Sequence, residues 1–329
     1  MSILTLRPAR MRAPPIVSVL IPVYNGERHL PECLESVLAQ DFHDVETLIA
    51  DDGSGDGSQK IIEQFAARDP RIRSWRNTRN LGQTQNHNLC LREARGTFIK
   101  FVHQDDKLLS ASAIRKLVSA LMEHPEASLA AVASDVIDDH GHLKYQRDFF
   151  KAGVADGRHI IRACFEAVAN PIGEPTVVMF RKTQAARGFL DDYKQLWDLE
   201  MWFHLLEQGN FVYLAEPLCA FRQHAAQQTN VNVRNGIGQN EIWTLLETYY
   251  TKPWLRAIVT QRMLINHARF LKKSQGKLGR HAELLLAEIR SQIKPTSYLT
   301  YWFERKWRHQ VTKIKKLQAN YVRGQNQRN

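Results

Sequence analysis

The stretch VSVLIPVYNGERHLPECLESVLAQ (17–40), followed by VETLIADDGSGDGS (45–58), decides the fold. Val17–Pro22 is a short, β-branched run closed by proline, the pattern of a buried strand. Leu30, Cys33, Leu34, Val37 and Leu38 recur at helical spacing, so residues 28–40 read as an amphipathic helix. VETLIA (45–50) is a second apolar strand and ends in Asp51-Asp52-Gly53-Ser54. Two apolar strands joined by a helix are a parallel pair with its crossover.

Outward from this unit the alternation continues. Ile61, Ile62 and Phe65 mark a helix, Ile72–Trp75 a short strand, and residues 84–94 another helix. TFIKFV (97–102) is a strand ending in His103-Gln104-Asp105-Asp106. Ile114, Leu117, Val118 and Leu121 mark a helix, and SLAAVASDV (128–136) a further strand. EPTVVMFR (174–181) and FVYLAEP (211–217) read as later strands. Between them a helix opens at Asp198 and ends at Gly209. The pattern weakens between about 140 and 170, and after about Glu241 only helical spacing remains. This order predicts an α/β fold, a Rossmann-like, mostly parallel sheet with helices on both faces, plus a C-terminal helical extension. The divisions are an N-terminal extension (1–16), an α/β domain (17–240) and a basic amphipathic helical region (241–329).

Hydrophobic residues make up 43% of the chain and charged residues 24%, ordinary values for a soluble domain with a sizeable core. The net charge of +11 is uneven: from Lys252 onward 18 Lys and Arg face three Asp and Glu, so the body is mildly acidic. In SYLTYWFERKWRHQVTKIKKL (297–317) aromatic and basic residues interleave. That pattern suits a helix lying on an anionic membrane, or a solvated helical cap. The acidic body opposes nucleic-acid binding. Four cysteines without a CxxC pair read as reduced thiols of a cytosolic protein. Arg7, Arg10 and Arg12 precede Pro14-Pro15 rather than an apolar run, so this is not read as a signal peptide. No stretch approaches the ~20 apolar residues of a spanning helix. The expected location is cytoplasmic, peripheral on the inner face of the cell membrane.

Ligands of open α/β sheets bind beyond the C-terminal ends of the strands. Three polar clusters fall there: Pro22–Glu27, Asp51–Ser58 and Gln104–Asp106. The run Gly53-Ser-Gly-Asp-Gly57 is not a dinucleotide fingerprint, because Ser58 stands where the third glycine is needed, and no GK[ST] loop exists. Asp52 at a strand tip can accept a hydrogen bond from a nucleobase. Adjacent Asp105 and Asp106 offer hard oxygens suited to Mg²⁺ or Mn²⁺. Asp198, near the start of a helix, is either an acid favoured by the helix dipole or a general base for a hydroxyl.

Taken in order, VSVLIPVYNGERHL (17–30), DDGSGDGS (51–58), NLG (80–82), GTFIKFVHQDD (96–106), GEPTVVMFR (173–181), WDLEMWFHLLEQG (197–209) and FRQHAAQQT (221–229) resemble the family-two glycosyltransferases of GT-A fold. The resemblance runs from Val17 to about Thr229. It implies that Pro22, Val23, Tyr24, Asn25, Glu27, Asp52, Gly82, Gln104, Asp105 and Arg222 bind a nucleotide-sugar donor. It further implies that Asp106 and His224 hold Mn²⁺ or Mg²⁺ and that Asp198 is the catalytic base. The family inverts the anomeric carbon without a covalent intermediate.

Three positions depart from the family pattern. Gln104-Asp105-Asp106 stands where Asp-x-Asp or Ser-Asp-Asp is frequent, His87 where arginine is common before Asn88, and Trp197 where an acid often precedes the base. A QxxRW motif is absent after Asp198, which favours single-sugar transfer. The implied function is transfer of one sugar, from a UDP-sugar first, to a glycan or lipid-linked acceptor in cell-surface polysaccharide or lipopolysaccharide synthesis. The rival is an inactive nucleotide-sugar-binding or membrane-scaffold protein of the same fold, which intact Asp52, Asp106 and Asp198 oppose.

Overall fold

The computed structural model describes residues 13–225, 227–229, 232, 237–273, 280–297 and 301–302. Contacts divide the chain into two units, one running to Ile161 and resuming at Asn170–Glu241, the other comprising Arg162–Ala169 and the residues from Ile242.

The first unit opens with β1 (Val17–Val23), buried along its whole length. Helix α1 (Leu30–Leu38) buries Cys33, Leu34 and Val37 and leads to β2 (Val45–Asp51), parallel to β1. Helix α2 (Ser58–Arg68) leads to β3 (Ile72–Arg76), and α3 (Gln83–Glu93) to β4 (Phe98–Phe101). Then come β5 (Lys107–Leu108), α4 (Ala113–Glu123), β6 (Ala127–Ile137), β7 (Leu143–Arg147), β8 (Gly153–Ala155), α5 (Gly157–Ala167), β9 (Val178–Arg181), α6 (Trp197–Leu206) and β10 (Asn210–Arg222). The sheet order is β3-β2-β1-β4-β9-β6-β10-β5. Strands β3, β2, β1 and β4 are mutually parallel, as are β6 and β10, while β9 runs antiparallel between β4 and β6. The core is the fully buried set around Val19, Leu20, Ile21, Leu48, Ile49, Phe101 and Leu129. In register, Val23 lies opposite Asp51 and Asp51 opposite Arg76, so the three strands end level and their loops emerge together.

Three elements differ from the sequence reading. The weak stretch after 140 contains β7, β8 and the helix α5. Its strands are short and β7 is largely exposed, so they carry little apolar alternation. The expected strand at 174 begins instead with a 3-10 turn at Pro175–Val177, because proline has no N–H for a ladder. Strand β10 is longer than expected, and its register with β6 shifts around Pro217.

The second unit is helical where described. It takes in α7 (Ile237–Tyr250) from Ile242 onward, then α8 (Pro253–Ile258), α9 (Gln261–Lys273) and α10 (Arg280–Ser291). Leu245, Leu246, Leu255, Met263, Leu264, Ile265, Leu286 and Ile289 are buried within it. His267 lies 2.7 Å from both the Tyr250 hydroxyl and the Phe165 carbonyl, and burial pushes its pKa down to about 4. No helix among the described residues is long and apolar enough to cross a membrane. Residues 1–12 and most of the aromatic–basic segment 297–317 lie outside the described residues.

Candidate functional site

The loops after β1 and β2 form the first corner of the site. The chain leaves β1 through Asn25 at φ 50, a left-handed conformation asparagine tolerates. Asn25 donates its N–H to Ser54 Oγ (2.9 Å) and accepts from the Gly55 N–H (2.8 Å). Glu27 donates its N–H to Asp56 (3.0 Å) and accepts from the Gly57 N–H (3.0 Å). Asp52 is 2% exposed and accepts from Asn77 Nδ2 (2.8 Å) and from the N–H groups of Leu81 (2.8 Å) and Gly82 (2.9 Å). An ionised carboxylate has about four acceptor positions, so Asp52 keeps capacity for one more donor. Gly82 has φ +87, and nothing crowds the place its Cβ would take, so backbone conformation alone selects glycine there. Pro22 and Val23 are buried and shape the strand tip, whereas the Tyr24 ring is 49% exposed. Both backbone groups of Tyr24 bond the Gln104 side chain (2.8 and 2.9 Å), which ties this corner to the loop after β4.

That loop carries the second corner. A ring nitrogen of His103 and carboxylate oxygens of Asp105 and Asp106 lie within 4.8 Å of one another. Asp106 is 1% exposed, and each of its oxygens accepts one hydrogen bond, from the Arg222 N–H (2.9 Å) and from Thr176 Oγ1 (2.5 Å). Burial, then the charge of Asp105, holds its carboxyl well above the usual range. Asp105 is half-buried and faces His224 Nε2 at 3.0 Å. Burial pushes Asp105 up, but the His224 bond and the neighbouring imidazoles prevail and keep it below the usual value. Of the two adjacent acids, Asp105 therefore bears the charge. Arg222 is buried beneath the loop. It donates to the Asp105 carbonyl (2.9 Å) and the Asp138 carbonyl (3.2 Å) and pairs with Glu32. Its place is under the carboxylates, as their scaffold, rather than on an open wall facing a diphosphate. The two carboxylates are hard donors that fit Mn²⁺ or Mg²⁺, and an imidazole among them suits Mn²⁺ better than Mg²⁺.

Asp198 forms the third corner, in the first turn of α6. The end of that helix is capped by Glu241, whose carboxylate accepts from the N–H groups of Lys194 (2.5 Å), Gln195 (2.7 Å) and Leu196 (2.8 Å). Asp198 accepts from the Leu199 N–H (2.7 Å) and Asn170 Nδ2 (3.3 Å). Burial first, and then the charges of Glu174 and Glu241, push Asp198 up to about 7, against the Leu199 bond. That is the range of a working general base at neutral pH. Glu200 is buried and pairs with Arg187 at 2.8 Å, and the acids whose charges act on Asp198 are Glu174 and, more weakly, Glu241.

A short strap, residues 170–176, joins the second and third corners. Asn170 bonds both Asp198 and the Gly173 carbonyl (3.2 Å), which also accepts from Trp202 Nε1 (3.0 Å). Gly173 has φ +106, and a Cβ there would meet Val177 Cγ2 at 2.6 Å, so only glycine fits. Thr176 then donates to Asp106 and accepts from the His103 N–H (3.1 Å). Fully buried Lys100 donates to the Thr176 carbonyl. Between these anchors Glu174 pairs with Arg147. Sequence reading missed Asn170, Thr176 and Glu241. GEPT (173–176) was visible as a motif, but Glu241 left no local signal.

The family described as Glycosyl transferase family 2 matches residues 18–187. Uncharacterized protein MT1568 of Mycobacterium tuberculosis (strain CDC 1551 / Oshkosh) is 32% identical over 260 residues, covering 74% of this chain and 78% of that protein. The GalNAc(5)-diNAcBac-PP-undecaprenol beta-1,3-glucosyltransferase of Campylobacter jejuni is 27% identical over 199 residues, 60% of this chain and 62% of the relative. Among solved structures, S. aureus TarS in complex with UDP-GlcNAc superposes with a TM-score of 0.54 at 16% identity, over 83% of this chain and 71% of the other. The mannosyltransferase PcManGT of Pyrobaculum calidifontis, in complex with GDP-Man and Mn²⁺, superposes with a TM-score of 0.54 at 18% identity, over 88% and 84%. At such identities these two share the fold, a GT-A-type sheet.

Proposed function

The chain belongs to glycosyl transferase family 2, and we propose that it moves one sugar from a nucleoside diphosphate sugar to an acceptor hydroxyl with inversion. The observation that carries the reading is Asp198, raised to about 7 and tied through the strap 170–176 to the Asp105–Asp106 corner. A base and a diphosphate-binding corner so joined flank the space a transferred sugar must occupy. Asp198 takes the proton of the acceptor hydroxyl. The freed oxygen attacks the anomeric carbon, and the bond from that carbon to the diphosphate breaks, its electron pair leaving with the diphosphate. One displacement inverts the centre and needs no protein nucleophile.

Tyr24 offers its exposed ring to the base, and Asp52 its remaining acceptor position. Asp105 and Asp106, with His103 and with His224 beside Asp105, would hold Mn²⁺ or Mg²⁺. Such an ion, when bound, neutralises charge gathering on the departing diphosphate. A UDP-sugar is the first choice of donor, supported by the TarS complex, and a lipid-linked glycan the first choice of acceptor, supported by the Campylobacter relative. The rival reading, an inactive nucleotide-sugar-binding scaffold, has no use for a base poised near neutrality.

Titration calorimetry with UDP, GDP and dTDP in the presence of Mn²⁺ tests the reading. UDP should bind tightest, and binding by none of the three would overturn it. The basic region from Lys252 is proposed to hold the enzyme peripherally on the inner face of the membrane. Each basic residue near an anionic surface contributes roughly 1 kcal/mol at low salt. The chain should sediment with anionic vesicles and be released by high salt, and failure to sediment at low salt would remove the membrane from the picture.

A further inference from the structure

Two positions that depart from the family pattern, His87 and Trp197, meet His103 in space. His87 lies on α3, His103 follows β4 and Trp197 opens α6. The His87 ring stands 3.1 Å, nitrogen to nitrogen, from His103. It packs 4.5 Å, centroid to centroid, from Trp197, with His103 and Trp197 at 6.3 Å. Phe101 (5.0 Å) and Phe189 (6.1 Å) complete an aromatic enclosure around His87, which is 3% exposed.

Hydrogen bonding settles the proton positions. His87 Nδ1 lies 2.7 Å from the Gln83 carbonyl, which can only accept, so Nδ1 carries the proton. His87 Nε2 therefore presents a lone pair, and its partner His103 Nε2 must donate to it. The proton of neutral His103 is thus fixed on Nε2, and its Nδ1 presents a lone pair. A ring nitrogen of His103 belongs to the cluster with Asp105 and Asp106. Metal-binding histidines characteristically donate their second ring N–H to a partner that fixes tautomer and orientation.

We propose that His103 supplies an imidazole nitrogen to the divalent ion of this enzyme, with His87 as the positioning residue that sets its tautomer. The inference deepens the proposed function and rests on it. An imidazole ligand favours Mn²⁺ over Mg²⁺, because Mg²⁺ prefers oxygen donors throughout. Trp197, in the place of a second acid, walls the pair from water.

The test is pulsed electron paramagnetic resonance of the Mn²⁺–UDP complex of the full chain, read for nitrogen coupling to the ion. Coupling should be present in the wild type, persist in His224→Gln through His103, weaken in His103→Asn and vanish only when both substitutions are combined. His87→Phe, which keeps a ring inside the enclosure, should weaken Mn²⁺ binding by about 10–100-fold. Metal-free UDP binding should hold steady in every variant, which also reports that each one folds. His103→Asp should lower the ratio of Mn²⁺ to Mg²⁺ affinity. Wild type that binds Mn²⁺–UDP without nitrogen coupling would overturn the inference and leave the proposed function standing. Coupling lost in His224→Gln and kept in His103→Asn would overturn it in favour of His224. Wild type that binds no UDP, with or without metal, would overturn both.

Discussion

Asp52 and Asn25 are held by partners about 30 residues away, as in Gly82 to Asp52 (30 residues) and Gly55 to Asn25 (30 residues), and Tyr24 by Gln104, 80 residues on. Asp106 is held by Thr176 and Arg222, 70 and 116 residues away, and the Asp198 helix is capped by Glu241 from 45 to 47 residues away. The corner proposed to hold the nucleotide is thus the product of neighbouring β-α-β units and is complete once β3, β2, β1 and β4 have paired. The reaction corner exists only when both halves of the sheet have closed on the strap 170–176. On the proposed reading, binding a nucleotide and using it should be separable, and substitutions should sort by corner.

Asp198→Asn should give the largest effect. It keeps size and most hydrogen bonding but removes the base, so kcat should fall by ~10²–10⁴-fold with nucleotide affinity unchanged. Stability should move the other way. The folded carboxyl titrates at about 7, above its unfolded value, so the fold favours the protonated form. Ionisation therefore costs stability as pH rises from the ordinary carboxylate range toward 7, and the full cost persists above it. Asp198→Asn should melt higher than wild type at pH 8, with the difference closing toward pH 4. Transfer at near wild-type rate would move the base elsewhere and dissolve the distinction between corners.

The pH profile probes the same contrast without mutation. With donor and metal saturating, kcat should fall about tenfold per unit below pH ~7 and level off above it, because only ionised Asp198 accepts a proton. UDP affinity should not follow that curve. A kcat flat from pH 6 to 8 would exclude Asp198 as the group that limits the rate.

The smallest effect should come from the other corner. Tyr24→Ala removes a stacking platform worth ~1–3 kcal/mol, a loss of about 5–150-fold in nucleotide affinity. Its kcat at saturating donor should stay close to wild type. A fall in kcat comparable to that of Asp198→Asn would show that the corners act as one.

Much of this was legible in the chain because the signals are local. Apolar periodicity placed β1, α1, β2 and β4, the strand-end rule put Asp52, Asp105 and Asp106 on the ligand side, and Asp198 was marked by the family resemblance. The segment after 140 was not legible, since short, exposed strands such as β7 take their conformation from the strand they pair with. By itself, then, the sequence determined the β-α-β order and the family, and it singled out the acids proposed to act. Tertiary structure alone decided that Asp105 rather than Asp106 bears the charge, that Arg222 lies beneath the carboxylates, and that His87 meets His103. These outcomes depend on burial and on hydrogen-bond partners brought from distant segments. A carboxylate's charge or an imidazole's proton is set by what surrounds it in space, and no spacing along the chain encodes that directly.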